Sequence, residues 1–160
     1  MVSAAARFVT LTACIVGSGC ALVPGFLRGN PPVTLQVSVA GDANGDTPIP
    51  VDVVFVWDEK LAEALAAMPA KTWFEQKRQL RNDDPKERAF GVQGWEWVPG
   101  QAVSRQECRA RARPRAVFLF ANYRTEGAHR FRLQPGAVAG LALMRDRAML
   151  QPFDRRRLSR

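Results

Sequence analysis

Val33-Thr34-Leu35-Gln36-Val37-Ser38-Val39 alternates apolar and polar residues without a break. Successive side chains of a strand point to opposite faces, so Val33, Leu35, Val37 and Val39 fall on one buried face. The run Gly41-Asp42-Ala43-Asn44-Gly45-Asp46 then erases all periodicity and reads as an exposed loop. Pro48 and Pro50 restart the chain in extended form, and residues 51–57 make a second strand with Val51, Val53, Phe55 and Trp57 inward.

Beyond the second strand the period changes. Asp58 can cap a helix whose apolar positions Leu61, Ala64, Leu65 and Met68 follow helical spacing and stop before Pro69. Thr72-Trp73-Phe74-Glu75 has the form of a capping box, opening a second helix that runs to Leu80 and is stopped by Asn82-Asp83-Asp84-Pro85. The helical pattern, residues 58–82, is an insertion in a chain otherwise made of strands. Residues 92–98 place Trp95 and Trp97 on one side, and Pro99-Gly100 turns the chain. The Arg-Ala alternation of residues 109–113 would project Arg109, Arg111 and Arg113 from one strand face. Residues 116–122 are continuously apolar and should be a central strand covered on both sides. Residues 129–133 form a short strand, and residues 141–150 a hairpin around Arg145-Asp146. Strands at this spacing point to a mainly β chain folded as a two-sheet sandwich.

Ahead of the first strand the chain has an export pattern. Arg7 precedes an apolar stretch, residues 8–16, too short to span a bilayer and followed by Gly17-Ser18-Gly19-Cys20. A cysteine after small residues is the place where lipoprotein processing attaches acyl chains, and more than one chain makes a stable anchor. Cys20 is the favoured acylation site. Cys14 is the alternative: Leu11-Thr12-Ala13 precedes it in better form, but it leaves an apolar core below the roughly 7–15 residues a signal needs. The expected organisation is a signal at 1–19, a tether at 20–32 rich in Pro and Gly, one domain at 33–152, and a basic tail at 153–160. Cys108 is then the one free thiol, so stability rests on the core and not on a disulfide.

The formal charge of +8 is localised. Residues 105–115 hold five Arg and one Glu, residues 154–160 four Arg and one Asp, and the rest of the mature chain is neutral. Such stretches suit anionic headgroups, an acidic partner or nucleic acid, and export argues against the last. The alternative function that follows is a periplasmic lipoprotein binding anionic lipid or polymer through its Arg-rich face.

Chemistry has few candidates. His129 is the single histidine, which excludes a multi-histidine zinc site, and no nucleophile motif accompanies it. Asp42, Asn44 and Asp46 resemble the opening of a calcium loop, but Thr47 and Val53 stand where that loop requires Gly and Glu. Neither a metal site nor a catalytic residue is expected, and no cofactor beyond the covalent lipid.

The order of features resembles the TssJ family, the outer-membrane lipoproteins of the type VI secretion system. The residues that carry it are the lipoprotein-like N-terminus, Asn44-Gly45-Asp46-Thr47-Pro48-Ile49-Pro50-Val51 with Val53 and Val56-Trp57, and Phe74 in the helical insertion. They continue with Trp97-Val98-Pro99-Gly100-Gln101, Ala116-Val117-Phe118-Leu119-Phe120-Ala121-Asn122-Tyr123-Arg124, Arg130-Phe131-Arg132 and Leu141-Ala142-Leu143. The resemblance implies a transthyretin-like β-sandwich with a two-helix insertion after the second strand, facing the periplasm from the outer membrane. It implies a mechanical role and not an enzymatic one: binding the periplasmic region of an IcmF-like (TssM) inner-membrane protein. In the family the loop between the first two strands makes that contact, here residues 40–47, with Gly41, Asp42, Asn44, Gly45 and Asp46 as the implied partner-binding residues. The polar stretch 81–89, the Arg-rich segment and the basic tail depart from the family pattern.

Overall fold

A computed structural model describes residues 30–103 and 105–153. The proposed signal, both candidate acylation sites Cys14 and Cys20, nearly all of the tether and the basic tail after residue 153 lie outside the described residues.

Eight strands form two four-stranded sheets. In the first, β1 (Val33–Val39) lies between β4 (Gln106–Cys108) and β7 (Val138–Leu143), and β8 (Ala148–Pro152) pairs with β7 at the far edge. The β1–β7 pairing is parallel, Thr34 to Val138 through Val39 to Leu143; the others are antiparallel. In the second sheet, β2 (Ile49–Val56) and β5 (Ala116–Ala121) are central, flanked by β3 (Phe90–Trp97) and β6 (Arg130–Leu133). Alternation along β1 and β2 does what the sequence predicts. Val33, Leu35 and Val37 meet Val51, Val53 and Phe55 between the sheets, joined by Val117, Leu119, Leu141 and Leu143.

The second face of β2 is also buried. Asp52, Val54 and Val56 point outward with Phe118 and Phe120 of β5, and the helices α1 (Glu59–Ala67) and α2 (Ala70–Asp83) cover them. This second core explains why residues 116–121 are apolar throughout: every one is buried, on one face or the other. Asp58 caps α1, its side chain accepting from the Leu61 N–H at 2.8 Å. The buried stripe of that helix is Leu61, Ala62, Leu65 and Ala66, and Ala64 faces solvent.

Trp73 is the centre of the helical layer. It is fully buried, stacks on Phe120 at 5.1 Å and meets Phe90 edge-on at 5.9 Å. Its Nε1 donates to Asp52 Oδ2 at 2.8 Å, and Lys77 Nζ approaches the same oxygen at 2.9 Å. A buried carboxylate is tolerable only with such partners. Gly94 on the neighbouring strand is what makes room for it, because a Cβ there would collide with Asp52 Oδ1.

Two expectations are corrected. The helix expected to open at Thr72 begins at Ala70, with Pro69 at its cap and no side-chain cap bond. The Ala70 N–H donates to Ala128 O across the structure, so a tertiary bond replaces the capping box. The Arg-Ala alternation is not a strand either. Strand β4 ends at Cys108, and residues 109–115 form bends. Two carbonyls of this segment are held by side chains: Asn30 Nδ2 donates to Ala110 O and Ala112 O, and Trp57 Nε1 donates to Ala112 O. Arg109, Arg111 and Arg113 therefore do not share a strand face; Arg111 lies over the Trp57 ring at 4.3 Å.

Candidate functional site

Because β1 and β7 run parallel and their other neighbours antiparallel, the connections sort to two ends. At one end gather residues 40–48, 98–101, 122–129 and 144–147. Asn30 and the segment 109–115 lie at the other, roughly 23 Å away along the seven residues of β1.

The loop of residues 40–48 is braced, not free. Ala43 is fully buried and Asn44 is 4 % exposed, contrary to the expectation of solvated residues from 41 through 46. Asn44 Nδ2 donates to Pro48 O at 3.0 Å, and Asn44 Oδ1 accepts from the Arg124 N–H at 2.8 Å. Backbone bonds run from Asn44 N to Met144 O and from Gly45 N to Arg145 O, both 3.1 Å. Asn44, Gly45 and Asp46 take positive φ in succession, 51°, 61° and 62°. Asn, Gly and Asp are the residues that tolerate this conformation at least cost, which is why the sequence reads Asn-Gly-Asp. What remains exposed is the tip, Gly41, Asp42, Gly45 and Asp46, together with Pro48 at the entry to β2.

The neighbouring loops lock onto the same frame. Tyr123 donates its hydroxyl proton to Met144 O at 3.1 Å, and Thr125 Oγ1 donates to Asp146 O at 2.6 Å. His129, at φ 39°, stacks on Tyr123 at 4.8 Å, and its Nε2 lies 3.0 Å from Thr125 O. These residues serve loop closure, and among them the sequence had singled out only His129. The surface they support carries both charges: Asp42 faces Arg145 at 3.7 Å, and Arg124 and Arg147 are exposed beside Glu126 and Asp146. Val98 and Met144 add apolar points, 49 % and 41 % exposed. Between this loop end and α2 lies an open cleft of about 630 Å³, lined by Thr47, Pro48, Lys71, Phe74, Glu96 and Arg124 among others.

Burial pushes the Tyr123 phenol up to about 12, and the Asp146 charge adds to this against the opposing hydrogen bond to Met144. Burial likewise raises the Cys108 thiol to about 12, which keeps it unreactive. Both folded values lie above the unfolded ones, so the unfolded chain releases protons first. Their contribution to stability is complete below about pH 9 and lost as pH rises toward 12. Tyr123 is the only tyrosine, so ultraviolet difference titration reads it directly: the phenolate band should appear near pH 12 and coincide with unfolding. A band complete at pH 10 in the folded protein would contradict the buried hydroxyl.

Among the described residues no helix is long and apolar enough to cross a membrane. A two-sheet sandwich with a helical layer on one sheet, and a braced loop cluster at one end, defines a scaffold that presents loops. Solved structures share this architecture. Lip of Serratia marcescens, described as a membrane-bound component of the type VI secretion system, superposes with a TM-score of 0.56 at 12% identity, over 78% of this chain and 99% of that one. The T6SS lipoprotein TssJ1 of Pseudomonas aeruginosa gives 0.53 at 14% identity over 78% and 99%. A chain from a type VI membrane complex gives 0.58 at 12% over 76% and 98%. The fold of this chain is therefore the TssJ-type β-sandwich. No protein-family profile and no curated protein sequence matches it.

Proposed function

We propose that the chain is a lipoprotein of a type VI secretion membrane complex, acylated at Cys20, held at the outer membrane and facing the periplasm. Its work is mechanical: the loop end grips the periplasmic region of an IcmF-like (TssM) protein of the inner membrane and so couples the two membranes. The observation that carries this proposal is the braced loop of residues 40–48, whose tip is exposed while its base is fastened to two other loops. A pre-organised loop loses little conformational freedom on binding, which favours affinity. Val98 and Met144 beside it provide apolar contact inside a polar rim. The fold shared with type VI lipoproteins supports the same assignment.

Within the loop, Asp42 and Asp46 are the partner-facing groups. Asn44 belongs to the frame, so deletion of residues 40–47 would remove part of the core along with the tip. The double variant Asp42→Arg and Asp46→Arg is the cleaner experiment. Both residues are exposed, and the main stability cost is Arg at the left-handed position 46, roughly 1 kcal/mol, so the melting temperature should fall by no more than about 6 °C. Binding to the purified IcmF-like periplasmic region, measured by calorimetry, should weaken at least about tenfold through charge reversal at the contact. Unchanged affinity would remove the tip from the interface.

A further inference from the structure

The end of the sandwich opposite the loops carries the Arg-rich segment 109–115. Strand β4 runs antiparallel to β1 with Cys108 opposite Val33, so residues 109–115 leave the sheet beside the point where residues 30–32 enter it. Contact is direct, through the bonds from Asn30 Nδ2 to Ala110 O at 3.2 Å and Ala112 O at 2.9 Å. Strand β8 runs antiparallel to β7, which is parallel to β1, so the chain also leaves Pro152 at this end, with four Arg still to follow in residues 154–160. The Arg-rich segment 109–115 thus lies where the N-terminal segment joins the domain.

The segment is built to hold its arginines outward. Arg111 is pinned over Trp57 and donates to Arg88 O at 3.2 Å, fixing the bend. Arg109, Arg113 and Arg115 are exposed around it, with side chains of Arg109 and Arg115 67 % and 61 % accessible. The nearby acids do not cancel them. Glu107 is shared between Arg105 at 2.9 Å and Arg109 at 3.4 Å, Glu59 stands 3.9 Å from Arg115, and Asp84 and Glu87 lie near Arg111, so the five Arg of the 105–115 stretch outnumber the acids around them.

We infer that this end is an electrostatic foot, in which Arg109, Arg113 and Arg115 bind the phosphates of anionic lipid headgroups and turn the loop end away from the membrane. The inference rests on the lipoprotein assignment made above. Nine residues lie between Cys20 and Asn30, ten steps along the chain, so a lipid on Cys20 holds this end within at most about 35 Å of the headgroups. Within that reach the arginines have access to the layer within about 10 Å of the surface where headgroup charge is felt. Each basic residue there favours the bound orientation by roughly fivefold.

The test uses the full acylated chain reconstituted in vesicles, read by hydrogen exchange. Amides of residues 109–113 should exchange at least about fivefold more slowly on phosphatidylethanolamine vesicles containing phosphatidylglycerol than on phosphatidylcholine vesicles. The difference should shrink in high salt, and residues 40–47 should exchange equally on both. The variant Arg109→Gln, Arg113→Gln, Arg115→Gln, which leaves the Trp57-stacked Arg111 in place, should abolish the difference. Equal exchange on both lipids, or slowing by soluble polyglutamate and not by the anionic vesicles, overturns the inference. Failure of the underlying assignment is read separately, because the mass of the peptide containing Cys20 reports acylation whatever the exchange result.

Discussion

Trp73→Ala lowers the unfolding free energy by about 4 kcal/mol, the largest loss expected from any single side chain of this domain. Truncating a buried Trp or Phe costs roughly 3–5 kcal/mol in transfer and cavity terms, and Trp73 is fully buried between Phe120 and Phe90. The variant also removes the donor to Asp52, a carboxylate that remains buried with Lys77 as its one side-chain partner. For a domain of this size each kcal/mol moves the melting temperature by about 3–6 °C, so the midpoint should fall by more than about 10 °C. Trp73→Phe separates the two contributions. It keeps an aromatic ring against Phe120 and loses the hydrogen bond, and should cost about 1–3 kcal/mol. Equilibrium denaturant unfolding measures both. A Trp73→Ala loss below about 2 kcal/mol would mean that α2 is not the lid of a second core.

That second core marks how far the sequence could be read. The inner faces of β1 and β2 were legible because Val33 to Val39 and Val51 to Phe55 alternate, and alternation is a local signal. Asp58 was legible as a cap for the same reason. The parallel contact of β1 with β7 was not, since its partners lie about a hundred residues apart and neither strand encodes the other. The start of α2 was misplaced because Thr72 and Glu75 satisfy a local rule, whereas the bond from Ala70 to Ala128 comes from the far side of the chain. Arg109 to Arg113 has the period of a strand without an apolar face to bury. Side chains of Asn30 and Trp57 take two of its carbonyls, Ala110 O and Ala112 O, and a bend forms instead.

The loop end shows the same division, and it decides the second large prediction. A run of Gly, Asp and Asn reads as solvated, and for Asp42 and Asp46 it is. Nothing local marks Asn44 as the exception, because beyond Pro48 of its own loop its partners Arg124 and Met144 come from two distant loops. Asn44→Ala would leave the Arg124 N–H and Pro48 O without their side-chain partner and place a Cβ-bearing residue of lower left-handed tolerance at φ 51°. Buried groups left unsatisfied cost about 1–3 kcal/mol each, and the backbone conformation adds roughly 1 kcal/mol. The expected loss is about 3 kcal/mol, measured by denaturant unfolding, with faster hydrogen exchange confined to residues 40–48 and 122–129. Binding to the IcmF-like partner should weaken in step, although Asn44 is too buried to touch it, because an unbraced tip must be ordered on association. The two variants then fail differently. Asp42→Arg with Asp46→Arg removes affinity at a small cost in stability, and Asn44→Ala removes stability and affinity together, a split that a loop merely tolerated at the end of the sandwich would not produce.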